Sequence, residues 1–526
     1  MSDKNILHEY KGRILLFTAI AVTAILSPLF IQSASAVELM QSKDLGLPMF
    51  SNRDWIWVTA QLHINFAAFI LGTPIFIVLC EYIGVRTKDP RYERLAHEIT
   101  KVTAVCYSLT ALTGGFFAIM LIGLYPDFTT YLFGKFFWII VLLYPILFIL
   151  ETIILYIYIY SWEPLKDRKG LHITIGVFLN IIGITTLLVM DIPASYMNSP
   201  VSGAETLWEN VNNFTWMPLN YHRLVGNITF GGFVAGFVAA FMFLMSESEE
   251  ERAYYDWQGF IGNMIGTFAI LFLPFMGYIY AHEFYAFDAG LGMYMMSDRL
   301  SMFFVVQGVL VGVIFISSNY YIWLSTIRIE GGGTLTLPII KKEVSRYMFM
   351  KFNFVVLFFC SAVWLTPRHF MATMIEEANT AWYPMIGELP THLGFMALMP
   401  AKNTAAFLII FLTLVNYLLY RAAISKGKIT WGKINPVSQY VLILLAFSIT
   451  WLMGLMGAVR ELVRKNWHVY KDVMDTSSDS FTPQLSYATK MISEVTLLWM
   501  LIITFIIWVT LMMGKKKPAK EAEGGV

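Results

Sequence analysis

Apolar stretches long enough to cross a lipid bilayer recur along this chain and restrict what it can fold into. A transmembrane helix needs about 20 predominantly apolar residues. The segments that meet this requirement are, approximately, 54–84, 101–125, 131–161, 172–192, 221–245, 258–281, 300–325, 349–366, 403–421, 437–461 and 490–513. With 57% hydrophobic and 14% charged residues, a water-soluble fold could not cover so much apolar surface. The sequence therefore predicts an all-α fold, a single polytopic transmembrane helix bundle of about 11 spans.

One more apolar segment, residues 14–31, precedes these spans and follows Lys11 and Arg13. It ends in QSASAVE, where small residues up to Ala36 are typical of a signal-peptide cleavage site. Two interpretations stay open. Residues 1–36 are either a cleaved signal peptide or an N-terminal anchor helix.

The loops predict the orientation of the bundle. The basic loops VRTKDPRYER, LKDRKG, IKKEVSR and SKGKITWGK and the tail GKKKPAK all fall on one side, which the positive-inside rule makes the cytoplasm. Loops on the other side, such as SGAETLWENVNN, are acidic or neutral, and the acidic cytoplasmic loop SESEEER carries little topological weight. We expect a multi-pass membrane protein, surrounded by membrane lipid, with these basic loops in the cytoplasm. The net charge of +1 gives no indication of a nucleic-acid partner.

Four polar residues from three distant parts of the chain share the outer half of this predicted bundle. His63 lies nine residues into the first span, a depth of roughly 13 Å at 1.5 Å per residue. His222 opens the fifth span, and Glu461 and Arg464 lie at the outer end of the tenth. Ionisable groups at membrane depth are costly and mark functional sites, and imidazole is a common ligand of haem iron. The shared level favours a haem site.

Plainer interpretations of the same residues stay open. Both histidines could be satisfied interfacial side chains, and Glu461 beside its arginines could form only an ion pair. The fifth span also carries four glycines that could admit either a neighbouring helix or a flat porphyrin, namely Gly226, Gly231, Gly232 and Gly236. The three cysteines show no CxxC or CxxCH spacing, so neither disulfides nor covalently attached haem is expected.

The motifs around these residues resemble subunit I of the cytochrome bd quinol oxidases. NRDWIWVTAQLHINF is similar to that family's first-helix pattern, with Arg53 ten residues before the histidine. LETI, with Glu151, is similar to the third helix, and YMNSP to the family's Trp-Met-Gln-x-Pro loop. Glu461, Arg464 and Trp467 keep the spacing of its E-x-G-R-Q-P-W motif. Further positions of matching type are Thr59, Ala60, Phe66, Glu81, Tyr92, Lys101, Thr113, Gly114 and His222.

This resemblance, over about residues 51–246 and 437–513, implies haems near the outer face. His63 would bind a high-spin haem, Glu461 the other haem of an active pair, and His222 a low-spin haem. Two or three copies of haem b are expected, with haem d as the alternative for one. The resemblance further implies that Arg53, Arg464 and Trp467 contact the haems and that Glu151 belongs to a proton route.

The chain departs from the family at positions that bear on function. Leu143 stands where the family has a second acidic residue of the proton route. The long quinol-binding loop is replaced by HEFYAFDAGLGMYMMSDR, interpreted as a short turn, and two extra spans follow it. Val463, Lys465 and Asn466 replace Gly, Gln and Pro of the terminal motif. The electron donor is therefore expected to be quinol or a periplasmic cytochrome c.

The second ligand of the His222 haem is a methionine in the family, and its equivalent here is ambiguous. If the seventh span is the equivalent helix, Met302 is the preferred candidate. If the ninth span is equivalent, Leu408 occupies the ligand position. The remaining candidates are Met396, Met399, His282, His369 and His392.

The resulting hypothesis is a respiratory haem subunit, an oxidoreductase that works with a second membrane subunit and reduces O2 at a di-haem site. The alternative is a non-oxygen-reducing haem conduit between quinone and periplasmic cytochromes. A proton-coupled transporter is disfavoured because no inverted repeat is evident. The predicted division is 1–36 (leader or anchor), 51–282 (haem-binding helices 1–6), 283–402 (two extra spans with an outer loop), 403–513 (C-terminal haem-binding spans) and 514–526 (cytoplasmic tail).

Overall fold

The computed structural model describes residues 51–296, 298–331, 333–337, 342–365, 391–465, 467–474 and 485–513. Within these ranges, eleven helices are long and apolar enough to span a membrane. They are α1 (Asn52–Thr87), α2 (Pro90–Leu124), α3 (Pro126–Tyr160), α4 (Lys169–Tyr196), α5 (Trp216–Met245), α6 (Glu249–Phe287), α7 (Leu300–Arg328), α8 (Arg346–Trp364), α9 (Lys402–Lys426), α10 (Val437–Leu462) and α11 (Leu485–Met512). The predicted all-α bundle of eleven spans is confirmed. The segment 1–36 lies outside the described residues.

Several of these helices are not regular throughout. A π-helical turn at Trp138–Leu143 interrupts α3, and a turn at residues 271–272 interrupts α6. A 3-10 turn at Ser325–Arg328 ends α7, and a second π-helical turn at Trp508–Met512 ends α11. The helix that contains α9 begins earlier, at Thr391. Such interruptions are common at functional sites and at helix ends.

Short elements connect the spans. The strands are β1 (Ile329–Glu330), β2 (Thr334–Leu337), β3 (Lys342–Ser345), β4 (Lys428–Ile429), β5 (Trp467–Val469) and β6 (Val473–Met474), paired antiparallel as β1–β4, β2–β3 and β5–β6. A helical turn, Leu207–Val211, precedes α5. The segment interpreted as a short turn after α6 instead contains a helix, Ala289–Met296. The side chain of Asp288 starts that helix by accepting a hydrogen bond from the backbone of Leu291 at 3.0 Å.

Three helices form the centre of the bundle. The most apolar windows of α5, α1 and α10 are 78%, 72% and 67% buried, whereas those of α2 and α3 are 22% and 17% buried. α5 packs against α1 on one side and α10 on another. His63, His222 and Glu461 lie on α1, α5 and α10 respectively. The fold thus brings the helices of all three candidate ligands together.

Glycines explain how closely α5 packs against its neighbours. A β-carbon at Gly232 would lie 2.5 Å from the backbone nitrogen of Gly266, and one at Gly262 would lie 2.5 Å from that of Gly236. A β-carbon at Gly231 would lie 3.2 Å from Thr73 of α1. Since each close neighbour belongs to another helix, helix packing accounts for these three glycines of α5. Gly226 is the exception and is described with the site.

Candidate functional site

The imidazole of His63 is held between α1 and α2. Its Nδ1 donates a hydrogen bond to the backbone carbonyl of Thr110 at 3.1 Å. Because a carbonyl oxygen only accepts, this bond places the proton on Nδ1 and leaves the lone pair of Nε2 available. Gly114, one turn after Thr110, makes room for the ring, since a β-carbon there would be 2.6 Å from Cε1 of His63. His63 is therefore oriented as a ligand with Nε2 as its donor atom.

The imidazole of His222 lies against the second half of α6. Its ring centroid is 6.1 Å from that of Tyr280, with the planes 24° apart, and a β-carbon at Gly277 would lie 3.6 Å from its Cε1. Within the described part of the chain, Nδ1 of His222 is buried without a hydrogen-bond partner. Gly226 is one turn further along the same helix face, where a β-carbon would meet only Leu273, at 3.9 Å. The ring thus borders an open strip of helix surface.

A buried ion pair joins α4 to α5 beside these histidines. Asp191 is fully buried, and its Oδ1 accepts a hydrogen bond from Arg223, the residue that follows His222. Arg223 is the neighbour of His222 on α5, which packs against α1, the helix of His63. The sequence analysis missed both members of the pair. The adjacency of Arg223 to His222 was a visible signal, but the pairing with Asp191 depends on the tertiary structure.

The carboxylate of Glu461 is shared by two arginines. Oε1 accepts a hydrogen bond from Arg460 at 2.7 Å, and Oε2 accepts one from Arg464. Arg464 is buried and also donates to the backbone carbonyl of His468. The Glu461 side chain is 32% exposed. This arrangement is the ion pair that the sequence analysis kept as the plainer interpretation, and the role of Glu461 as an iron ligand stays a prediction.

These charges form one alternating series that runs from α10 through α4 to α5. Arg464, Glu461 and Arg460 follow one another on α10, and Arg460 acts electrostatically on Asp191 of α4. Asp191 in turn pairs with Arg223 of α5. Three arginines against two carboxylates leave one positive charge in excess. The series connects Glu461 and Arg464, through Arg460 and Asp191, to Arg223, the neighbour of His222; a shared haem site for these residues stays a prediction.

Arg53 and Trp467 lie at the edge of this region. Arg53 lies over the ring of Tyr487 at 5.4 Å, at the start of α11. Trp467 begins β5, and its backbone nitrogen donates to the carbonyl of Arg464 at 3.2 Å. The side chain of Trp467 is half-buried and packs against the main core. Contacts of Arg53 and Trp467 with a haem stay predictions.

Met302 is not positioned as clearly as the histidines. Its side chain is 45% exposed on α7, a helix that packs mainly against α10 and α8. The ring of His222 instead contacts α6. Among the alternatives, His282 is 62% exposed and lies 3.2 Å from Glu283, and Leu408 is half-buried. The remaining alternatives, His369 and the side chains of His392, Met396 and Met399, lie outside the described residues.

Glu151 lies in a different part of the bundle, on α3. It is buried and lines a cavity of about 10 Å³ together with Thr103, Tyr107 and Asn180. That volume is about enough for one water molecule. Leu143, eight residues earlier, is 42% exposed on the outside of this chain. The carboxyl of Glu151 thus faces polar side chains inside the bundle, whereas the side chain of Leu143 faces outward.

These residues fit a haem better than a bare metal ion. Within the described ranges, His, Cys, Asp and Glu form no group of three that could hold a metal ion, so each histidine would hold the iron of a haem as a single ligand. The available lone pair of His63, the buried unpartnered nitrogen of His222 and the open surface at Gly226 suit a flat macrocycle. The excess arginine charge suits its propionates.

Comparison with known proteins agrees with this assignment. Residues 53–288, somewhat under half of the chain, match the family model described as cytochrome bd terminal oxidase subunit I. A Bacillus subtilis (strain 168) protein, provisionally described as a cytochrome bd menaquinol oxidase subunit I, is 24% identical over 212 residues. That match covers 38% of this chain and 46% of the relative, so the chain matches less than half of the relative's length.

Among solved structures, the bd oxidase from Geobacillus thermodenitrificans matches with a TM-score of 0.46 and 14% identity, covering 89% of this chain and 98% of that one. Over residues 53–288 the chain is similar to subunit I of the cytochrome bd terminal oxidases. The family match includes His63, Glu151 and His222, whereas Met302 and Glu461 lie beyond it.

Proposed function

We propose that this protein is the haem-binding subunit of a respiratory electron-transfer complex in the bacterial cytoplasmic membrane, with its haem sites toward the periplasm. It takes electrons from quinol or a periplasmic cytochrome c and passes them to a di-haem site that reduces O2. It works with a second membrane subunit and is surrounded by lipid. The observation that carries the proposal is the buried Nδ1 of His222, which has no hydrogen-bond partner within the described residues and lies on the helix face that opens at Gly226.

Each residue has a defined part in this proposal. His63 and His222 hold two haem irons, most simply of haem b, and Glu461 binds the other haem of the active pair, of the b or d type. Bound haem supplies one-electron chemistry. Arg464, with Arg53 at the rim, offers cationic hydrogen-bond donors to propionates, and Trp467 closes the outer side. Met302 stays the proposed second ligand beside His222.

A second candidate function is an electron conduit that reduces no oxygen. Two observations favour it: both oxygens of Glu461 are engaged by arginines, and Leu143 stands at an outward-facing position where the resemblance would place an acid. Without a carboxylate that can leave its ion pairs, the third haem would lack its ligand. Electrons would then pass only between the His63 and His222 haems and external carriers.

The spectrum of the purified protein tests the proposal. A pyridine haemochrome spectrum should show haem b, and His222→Ala should remove the low-spin signal while leaving most of the His63 haem. The matched control is His97→Ala, because His97 stacks on Trp162 at 4.6 Å near the cytoplasmic end of α2 and should not affect either haem. Protein without haem, or an unchanged spectrum in His222→Ala, would contradict the assignment.

Carbon monoxide separates the two candidate functions. A five-coordinate haem at His63 in an oxygen-reducing site should bind CO in the reduced protein and shift its spectrum. A conduit with two six-coordinate haems should give no CO shift. O2 consumption with a reduced quinol analogue and, separately, with reduced cytochrome c then identifies the donor.

A further inference from the structure

The Asp191–Arg223 ion pair is not explained by a contribution to the folding stability of the protein. Asp191 is fully buried, Arg223 is 26% exposed on its side chain, and the two lie within the membrane-spanning part of α4 and α5. Desolvation of two charges commonly offsets their attraction, so such a pair contributes little to stability compared with apolar packing. Charges at membrane depth are retained mainly where they serve a function.

The carboxylate of Asp191 is also incompletely satisfied. One oxygen accepts from Arg223, while Oδ2 is buried and has no hydrogen-bond partner within the described residues. The nearby charge of Arg460 acts on the same carboxylate. A structural ion pair would be expected to satisfy both oxygens. Hydrogen bonding alone therefore does not explain the Asp191–Arg223 pair, and its charges are the feature that needs a function.

The position of the pair identifies what its charges act on. Arg223 follows His222 on α5, and α5 packs against α1, the helix that carries His63. A fixed positive charge near a redox centre stabilises its reduced form, because reduction adds an electron. A unit charge at about 10 Å and an effective dielectric of about 20 changes such an equilibrium by about an order of magnitude.

We propose that Arg223 is an electrostatic positioning residue that raises the reduction potentials of the centres held by His63 and His222, and that Asp191 fixes Arg223 in place and moderates its charge. This inference rests on the proposed function, since it requires haem at both histidines. In this proposal one residue, Arg223, influences the reduction potentials of two haems whose ligands lie on different helices. Electron transfer between the two haems depends on the difference between their reduction potentials. Because Arg223 would raise both potentials, its charge would change this difference less than it changes either potential.

Potentiometric titration of the purified, haem-loaded protein tests the inference, with the optical signal of each haem as the readout. Arg223→Gln removes the positive charge and should make reduction about tenfold less favourable at both centres, about 59 mV for a one-electron couple. Asp191→Asn removes the negative charge, keeps a hydrogen-bond acceptor for Arg223, and should shift both potentials upward. Arg223→Lys keeps the charge and should restore potentials near those of the unaltered protein.

Asp256→Asn is the matched control. Asp256 pairs with Arg328 at 2.7 Å, both residues are fully buried, and neither histidine is among the groups that act on this pair. This variant should leave both potentials unchanged. Opposite shifts in Arg223→Gln and Asp191→Asn, with Arg223→Lys and the control unmoved, would establish the inference.

The contradicting outcomes are distinct. The inference would be overturned, and the proposed function left intact, if both variants bind haem but their reduction potentials do not change. The same holds if the potentials of Arg223→Gln and Asp191→Asn shift in the same direction. Unaltered protein that contains no haem would overturn both. If Arg223→Gln does not assemble with haem, the conservative variants Asp191→Asn and Arg223→Lys provide the test. Reduction potentials that rise in Asp191→Asn but stay unchanged in Arg223→Lys support the inference. Potentials that stay unchanged in Asp191→Asn overturn it.

Discussion

Gly114 leaves the space that the imidazole of His63 occupies, because a β-carbon at Gly114 would lie 2.6 Å from Cε1 of that ring. Real β-carbons do not approach so closely, and the His63 ring is also tied to the carbonyl of Thr110 at 3.1 Å. The orientation of a candidate ligand on α1 thus depends on the absence of a side chain on α2.

Gly114→Ala should displace the His63 ring and remove most of the high-spin haem signal while leaving the low-spin signal of His222. The matched control is Gly115→Ala, since a β-carbon there would meet nothing within 4 Å. Alanine is favoured over glycine in a helix by about 0.5–1 kcal/mol, so the control should be neutral or slightly stabilised. Optical spectra and thermal unfolding of both variants provide the measurement. Equal spectra in the two variants would show that the contact does not govern haem binding.

Glu461→Gln tests whether the Glu461 carboxylate binds a haem iron or only forms ion pairs with its two arginines. We expect loss of one haem per protein and a drop in O2 consumption of at least about tenfold, because an amide is a poor replacement for an anionic ligand. Glu494→Gln is the control, because Glu494 is 52% exposed and lies 3.9 Å from Lys490 on α11. If haem content stays the same and only thermal stability falls, Glu461 is an ion-pair residue and the conduit function is favoured.

Glu151→Gln should slow O2 reduction about tenfold or more without changing the haem spectra, because an amide cannot carry a proton beside the small cavity. Leu143→Glu gives the comparison on the same helix. Its side chain position is 42% exposed on the outside of this chain, so a carboxylate there should not increase turnover. Oxygen-electrode rates at matched haem content provide the measurement. An unchanged rate in Glu151→Gln would remove Glu151 from the proton route.

The contact between Asp288 and the β5–β6 hairpin should depend on acid pH. The hydrogen bond from Lys471 at 2.7 Å, with smaller contributions from Leu291 and Tyr470, lowers the pKa of Asp288 to about 2. Because this pKa is lower in the folded protein than in the unfolded chain, the stabilisation is present above about pH 4 and is lost as the pH falls toward 2. Since Lys471 is well exposed, we expect less than about 1 kcal/mol.

Amide hydrogen exchange in the hairpin should therefore accelerate as the pH falls through this window, after correction for intrinsic exchange. Asp288→Asn should give faster exchange already at neutral pH and no further change. A hairpin whose protection is the same in both proteins would show that the ion pair does not hold it.

The number of helices could be predicted from sequence because each span is a separate apolar stretch whose length the bilayer sets. His63 and His222 could be found for a related reason, since imidazoles at membrane depth are rare and conspicuous. The partners of these residues could not be found in the same way. Asp191 meets Arg223 only after α4 and α5 pack, and nothing local to either residue indicates the other.

The glycines of α5 also show that tertiary contacts cannot be predicted from the sequence alone. Gly226 and Gly232 occupy the same helix and look equivalent in sequence, yet the latter meets the backbone of Gly266 and the former borders open space. The short helix after α6 was missed because its start depends on one side-chain contact from Asp288. Met302 could not be fixed because several methionines lie at suitable depths and spacing cannot choose among them.

The β5–β6 hairpin joins helices that are far apart in the chain. Tyr470 donates from its backbone to the carbonyl of Met197 at 2.9 Å, and Asp472 accepts from Tyr131 at 2.8 Å. Lys471 reaches Asp288 beyond α6, while Arg464 holds the carbonyl of His468. The hairpin therefore links the neighbouring ends of α3, α4 and α6 to the end of α10, so its protection from proteolysis should report whether these four helix ends stay together.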